Sequence, residues 1–308
     1  VNFLATLPTA LMIVGTAVGS LFASKIMKIK GRKFGFSLAA IRNSFFSLIC
    51  AYAILINSFN LFCIGNLAIG LSVSFAQQYR FAATESVETS NTPKAISLIL
   101  LLGIVASLLG ANIVSVTKDF YMTTFVGSYI SISILTIIPF FFFLFYQNED
   151  KIDQTEIKSQ KTIFELLSNK NIQLSILSAG VGYTTMSILM TATPISMNIM
   201  HGVSLFSTGI GLQMHVVGMF LPSLITGDLI KKFGHKRMIY AGVIILFLTI
   251  ITHFVFETYY GYMIGLILLG IGWNFLFVSG TSLLVVSYNK EDKFLAQASS
   301  TANMIIEK

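Results

Sequence analysis

Two pairs of soft side chains stand out in this 308-residue chain: Met186 with Met190, and His215 with Met219. Residues four apart on a helix share a face, so each pair aims two donor atoms the same way. The pairs lie in consecutive apolar runs. Folding those runs back on each other near residue 201 sets all four side chains within about one helical turn of a common depth. Thioether sulfur and imidazole nitrogen are ligands for Cu(I): soft sulfur selects it over Mg, Ca or Mn, and imidazole accepts copper readily. None of the four side chains adds charge to a buried site, so a monovalent cation would be held loosely enough to leave again. Spacing alone leaves two other uses open. Methionine stripes fill gaps in apolar cores, and a mid-membrane histidine can relay protons.

Other residues extend or limit that chemistry. Met197 and His201, again four apart, sit toward the outer mouth and read as an accessory pair or as loop residues. Cys50 and Cys63, the two cysteines, both fall in apolar runs and make no disulfide framework. Buried thiols are the plain expectation; a transient sulfur relay for copper is the sharper one. Pro194 cannot donate to the carbonyl of Met190, so the run should bend there. Arg42, inside a run, should pair or face a cavity. Trp273 and Asn274 are mid-run, where an asparagine can bond across helices. Glu85, Asp228 and Glu257 lie near the ends of runs, which leaves His215 as the central titrating group. No nucleophile triad, phosphate loop or carboxylate dyad is visible. No enzymatic reaction and no cofactor is expected, copper being cargo.

The elements that must position these residues follow from composition. Hydrophobic residues make up 55% of the chain and charged residues 11%, whereas a soluble domain carries about 25% charged residues. A membrane-spanning helix needs about 20 mostly apolar residues. Apolar runs of that kind cover about 2–24, 34–56, 59–82, 95–117, 120–146, 171–198, 204–229, 237–256, 259–288 and 293 onward. In lipid such runs must be helices, because loops and sheet edges there would leave backbone groups unpaired. The predicted fold class is therefore an all-α membrane protein in a bilayer. Of the 20 basic residues, all but Arg42, Lys118 and Lys308 fall in alternate connections. The positive-inside rule puts those connections in the cytoplasm. The net charge of +7 is thus topological, and no nucleic-acid partner is expected. The first run then travels inward, so one more helix is expected upstream of Val1, and the chain reads as a fragment.

The polar stretch 147–170 divides the chain into residues 1–146 and residues 171–308, joined by a cytoplasmic linker. An internal repeat matches the two sides: "SKIMKIKGRKFGF" (24–36) and "DLIKKFGHKRMIY" (228–240) each follow one long run and lead into the next. Related halves joined by a cytoplasmic loop are the parallel-repeat plan of one large class of transporters.

The two basic repeats resemble the loop motif of the major facilitator superfamily, Gly-x-x-x-Asp-Arg-x-Gly-Arg-Lys. Gly31, Arg32 and Lys33 match in the first copy; Gly227, Gly234, His235 and Lys236 match in the second. Lys28 and Lys231 stand where the family has its acid, so gating charges must be arranged differently here. The family's exchanger signature ends in Gly-Pro; this chain reads Gly110-Ala111. The resemblance implies two six-helix halves. Residues 1–146 would hold helices two to six of that fold, and residues 171–308 helices seven to ten with the start of the eleventh. "MSILM" (186–190) and "HVVGM" (215–219) further resemble the paired motifs of the CcoA-type bacterial copper importers, as do "MTATP" (190–194), "MFLPSLITG" (219–227), "GIGWNFLFVSGTSLL" (270–284) and "QYRFAATES" (78–86). That resemblance implies a monomeric, multi-pass importer in the bacterial inner membrane, moving copper by alternating access with Met186, Met190, His215 and Met219 as ligands. A related riboflavin-transporter branch shares the fold. The alternative cargo is a small organic solute, riboflavin-like or a drug.

Overall fold

The computed structural model describes residue 4, residues 7–146 and residues 163–297. Most of the linker and nearly all of the run beginning at 293 lie outside these residues. The described chain is helical: α1 (Leu7–Leu55), α2 (Phe59–Ala76), α3 (Tyr79–Glu85), α4 (Thr92–Thr117), α5 (Val126–Phe145), α6 (Ile163–Leu167), α7 (Lys170–Ile195), α8 (Leu205–Phe220), α9 (Ser223–Phe233), α10 (His235–Val255) and α11 (Tyr259–Ser287). Among the described residues, eight helical stretches are long and apolar enough to cross a membrane. Side chains start several of them. Ser58 Oγ accepts from the Leu61 N–H before α2, Asn169 Oδ1 from Asn171 before α7, Ser204 Oγ from Ser207 before α8, and Thr258 Oγ1 from Gly261 before α11. Each supplies an acceptor to a first-turn amide that has no partner in the helix.

The helix α1 has 49 residues, or about 74 Å at 1.5 Å per residue, more than twice the roughly 30 Å hydrocarbon core. It is two spans. Gly31 has φ 83° and ψ 163°, and a Cβ added at Gly35 would stand 2.7 Å from Met27 Cγ. In a straight helix those residues are about 12 Å apart along the axis, so the chain doubles back at Gly31. The basic stretch that looked like a loop is a one-residue reversal with helix on both sides. Gly234, between α9 and α10, has φ 85° and ψ 156°. The two copies of the repeat share one backbone conformation at matching glycines.

The other expected runs are also reshaped. The run 120–146 becomes helical only from Val126, after Phe125 at φ 73°. The run 204–229 breaks at Leu221–Pro222 into α8 and α9, and the run 59–82 breaks at Gln77–Gln78 into α2 and α3.

The described residues pack as two compact units. One contains 7–82, 108–146 and 289–297; the other contains 83–107 and 164–288. These packing units do not coincide with the sequential halves: residues 83–107 belong to the second unit and residues 289–297 to the first. In the first unit Ala23, Met27, Phe36, Ala39, Phe75, Ala82 and Phe294 form the core. In the second, Met197, Ile239, Leu246, Tyr262, Leu266, Leu269, Leu276 and Leu283 do so. Large apolar side chains such as Ile188, Phe142, Phe206 and Phe247 stand exposed, while Ser20, Ser47, Ser74, Thr249 and Ser279 are fully buried. That inversion suits lipid, where outward apolar surface costs nothing and small polar residues let helices approach closely.

Candidate functional site

Helix α11 is the organiser of the second unit: α7, α8, α9 and α10 all pack against it. Its approach to α8 is backbone-close. A Cβ at Gly270 would strike the carbonyl of His215 and the backbone of Gly218 and Met219. His215 is thereby pressed onto α11 and is 1% exposed. Its Nδ1 lies 3.0 Å from the Leu266 carbonyl. A carbonyl only accepts, so in the neutral ring the proton sits on Nδ1 and Nε2 offers a lone pair. Nε2 is buried and has no hydrogen-bond partner among the described residues.

Met186 and Met190 are half-buried on α7 and pack against the core cluster that includes Leu266 and Leu269. Met219 is half-buried on α8, and its carbonyl accepts from Asn274 Nδ2 at 2.7 Å. The sequence set the four side chains at a common depth and left open whether their faces meet; in the structure α7 and α8 each pack against α11. None of the three thioethers bonds to His215 Nε2. Among the described residues no cluster of three or more His, Cys, Asp or Glu is placed to hold a metal.

The accessory residues separate. Met197 is wholly buried in the core of the second unit, on a single π-helical turn, Ser196–Met200, that follows α7. His201 is exposed, its ring 5.6 Å from that of Tyr262. One member of the pair is thus core and the other surface, and Met197 is not a loop residue. Pro194 lies inside α7, one residue before its end, and the π turn follows it. The ring leaves the Met190 carbonyl without its usual donor, and the chain widens in the following residues. Cys50 and Cys63 are buried free thiols in the first unit. Asn66 Nδ2 lies 3.8 Å from Cys50 Sγ.

The loop-motif residues do structural work. Arg32 is 5% exposed, donates from Nη2 to Gln297 Oε1 at 2.9 Å, and covers the Phe294 ring. Lys33 Nζ donates to the Leu144 carbonyl. In the second copy, His235 Nε2 pairs with Ser282 Oγ at 2.9 Å, while Lys236 is exposed. With lysine at the acidic position, the charges are redistributed. Lys231 donates to Asn91 Oδ1 at 2.6 Å, and Asp228 pairs with Lys94 at 2.7 Å, where Gly227 meets the Lys94 backbone.

Trp273 is mid-run in the sequence. The structure makes it the centre of an aromatic cluster in the second unit. Its ring stacks on Phe277 (4.6 Å, 11°) and meets Tyr183 (5.4 Å, 82°) and Phe220 (6.3 Å, 85°) edge-on. The Phe220 ring also sits against Gly103 of α4. The Trp273 indole N–H is buried without an acceptor among the described residues. The signal was the single tryptophan of the chain beside a mid-span asparagine; what the sequence lacked was any link between residues 183, 220 and 273.

The profile of the Major Facilitator Superfamily matches residues 2–306. The chain is 34% identical over 302 residues to the riboflavin transporter RfnT of Brucella anthropi, covering 96% of this chain and 75% of that protein. It is 27% identical over 319 residues to the uncharacterized MFS-type transporter YdeG of Bacillus subtilis, covering 98% and 74%. Among solved structures, the proton:xylose symporter XylE bound to 6-bromo-6-deoxy-D-glucose superposes with a TM-score of 0.83 at 12% identity, covering 99% of this chain and 77% of that one. At that identity the likeness speaks for the fold alone.

Proposed function

The chain belongs to the Major Facilitator Superfamily and is a multi-pass membrane protein, and from that premise we propose that it moves a small, flat organic solute of the riboflavin class across the bacterial inner membrane by alternating access. The observation that carries this reading is the aromatic cluster of Tyr183, Phe220, Trp273 and Phe277. Edge-on and stacked rings around one indole suit a planar heterocycle, and the buried Trp273 N–H, which has no acceptor among the described residues, suits a ring carbonyl. A buried donor without a partner is costly unless something else pairs with it. The 34% identity to a protein named as a riboflavin transporter favours the same cargo.

Copper import, the reading that the Met and His spacing first suggested, stands second. What favours it is the His215 Nε2 lone pair, buried and unpaired, with Met186 and Met190 packed against the cluster that contains its partner residue Leu266. The relative named at 34% identity does not add to it.

One experiment separates the two. The complete gene is expressed in a bacterium deficient in riboflavin uptake and in one deficient in copper uptake, with Trp273→Ala and His215→Leu matched for membrane abundance. Riboflavin uptake restored by the parent and strongly reduced by Trp273→Ala is the expected result. Copper accumulation restored by the parent and lost in His215→Leu, with no riboflavin uptake, would reverse the order of the two readings.

A further inference from the structure

We propose that the first unit carries a polar binding site for an amide or imide edge, built on Gln78 with Ser24 beside it. Gln78 is 0% exposed, and both its Nε2 and its Oε1 are buried with no hydrogen-bond partner among the described residues. It stands where the helix breaks between α2 and α3. Ser24 is 4% exposed, and its Oγ is also unpartnered.

The register of the two helices brings these groups to one level. The first leg of α1 and α2 run side by side in the same direction: Gly15 meets the Leu67 carbonyl, and Gly19 meets Ser74 Oγ. One turn further, the same faces carry Ala23 and Gln78. Ala23 is fully buried, and Ser24 follows it in the chain. On that register Gln78 and Ser24 both lie about one turn past the contact of Gly19 with Ser74, on neighbouring helices. Arg80, two residues on, holds its guanidinium over the Phe81 ring at 4.7 Å.

The chemistry of the amide selects its ligand. A glutamine side chain presents an acceptor and a donor side by side. A metal cation would meet the NH₂ group, and a carboxylate would meet the carbonyl lone pairs. The neutral complement is a cyclic N–H beside C=O, as in a lactam or an imide, which closes two hydrogen bonds at once. This rests on the proposed transport of a riboflavin-like solute, whose ring carries an imide N–H between two carbonyls. It narrows that cargo to heterocycles with the edge intact.

The test is uptake of riboflavin against its N3-methyl derivative, which keeps the ring and removes the imide N–H. The parent is expected to prefer riboflavin by at least about tenfold, since a site built to bond an N–H rejects an analogue without it. In Gln78→Leu that preference should collapse toward unity, through loss of riboflavin uptake rather than a change in uptake of the methylated compound. Ser24→Ala should move it partway in the same direction. No described residue bonds to the Gln78 amide, so Gln78→Leu is expected to insert and to survive heating as the parent does. A parent that takes up both compounds equally, or a Gln78→Leu protein that still discriminates, overturns the site while leaving riboflavin transport standing. A parent that takes up neither overturns the site together with the transport reading.

Discussion

Alanine at Gly31 or at Gly234 is expected to destabilise the folded protein by about 1–3 kcal/mol each, the cost of holding a residue in a sparsely populated backbone region. Both glycines combine a φ near 85° with an extended ψ, a region that is essentially closed to residues bearing a Cβ. Both are the sole residue at which a helix reverses, so the strain has nowhere to spread. Packing does not add to the cost at Gly234, where a Cβ would meet nothing within 4 Å. Gly110→Ala is the control. That glycine lies inside α4 with open space around it and no positive φ, and alanine there should be neutral or stabilising by roughly 0.5–1 kcal/mol. The measurement is the fraction of detergent-solubilised protein that stays monodisperse after heating. Parent-like survival of either reversal variant would show that the turn relaxes to another shape and that the matching angles carry no structural weight.

Asn274→Leu should cost about 2 kcal/mol or more, because it removes one buried group and strands others. Pro222 interrupts the helix between α8 and α9, and Asn274 on α11 repairs the break. Its Nδ2 donates to the Met219 carbonyl and to Ser223 Oγ, both at 2.7 Å. The Thr226 hydroxyl lies 2.7 Å from Asn274 Oδ1 and 2.8 Å from the Pro222 carbonyl, and shares its one hydrogen between them. Asn274 and Thr226 are fully buried and Ser223 is 4% exposed, so no water replaces a lost partner. Ser223→Ala, which removes a single bond, should cost about 1 kcal/mol. Chemical unfolding in detergent reads both values. Equal midpoints for parent and Asn274→Leu would mean that the break is held by helix packing alone. The hub also ties Met219 and the carbonyl side of α8 to the span that bears Trp273, so transport should fall further than stability in the asparagine variant.

Much of the helical plan was legible along the chain. Long apolar runs force helices in lipid, and the described chain is helical through them. The repeat around Gly31 and Gly234 was visible as residues, although its meaning was not: the basic stretch looked like a loop and is a reversal at one glycine. The four-residue spacing of Met186, Met190, His215 and Met219 correctly placed two pairs of side chains on helix faces. It was silent on what those faces meet. In a soluble protein the polar side of a helix marks the outside. Here the polar residues of α7 and α11 are spread around the helix instead of gathered on one side, so periodicity did not reveal that α7 and α8 both pack against α11.

By itself, the sequence determined that the chain is a helical membrane protein and that its two sides repeat. Composition, charge placement and glycine position act locally, and each can be read one residue at a time. Only the tertiary structure decided which buried polar atoms find no partner among the described residues, His215 Nε2, the Trp273 N–H and both ends of the Gln78 amide among them. It alone brought Tyr183, Phe220 and Trp273 into one cluster. A hydrogen bond or a ring contact between residues dozens of positions apart depends on how helices rotate and tilt against one another. Small residues at their seams set that packing, and no local pattern encodes it.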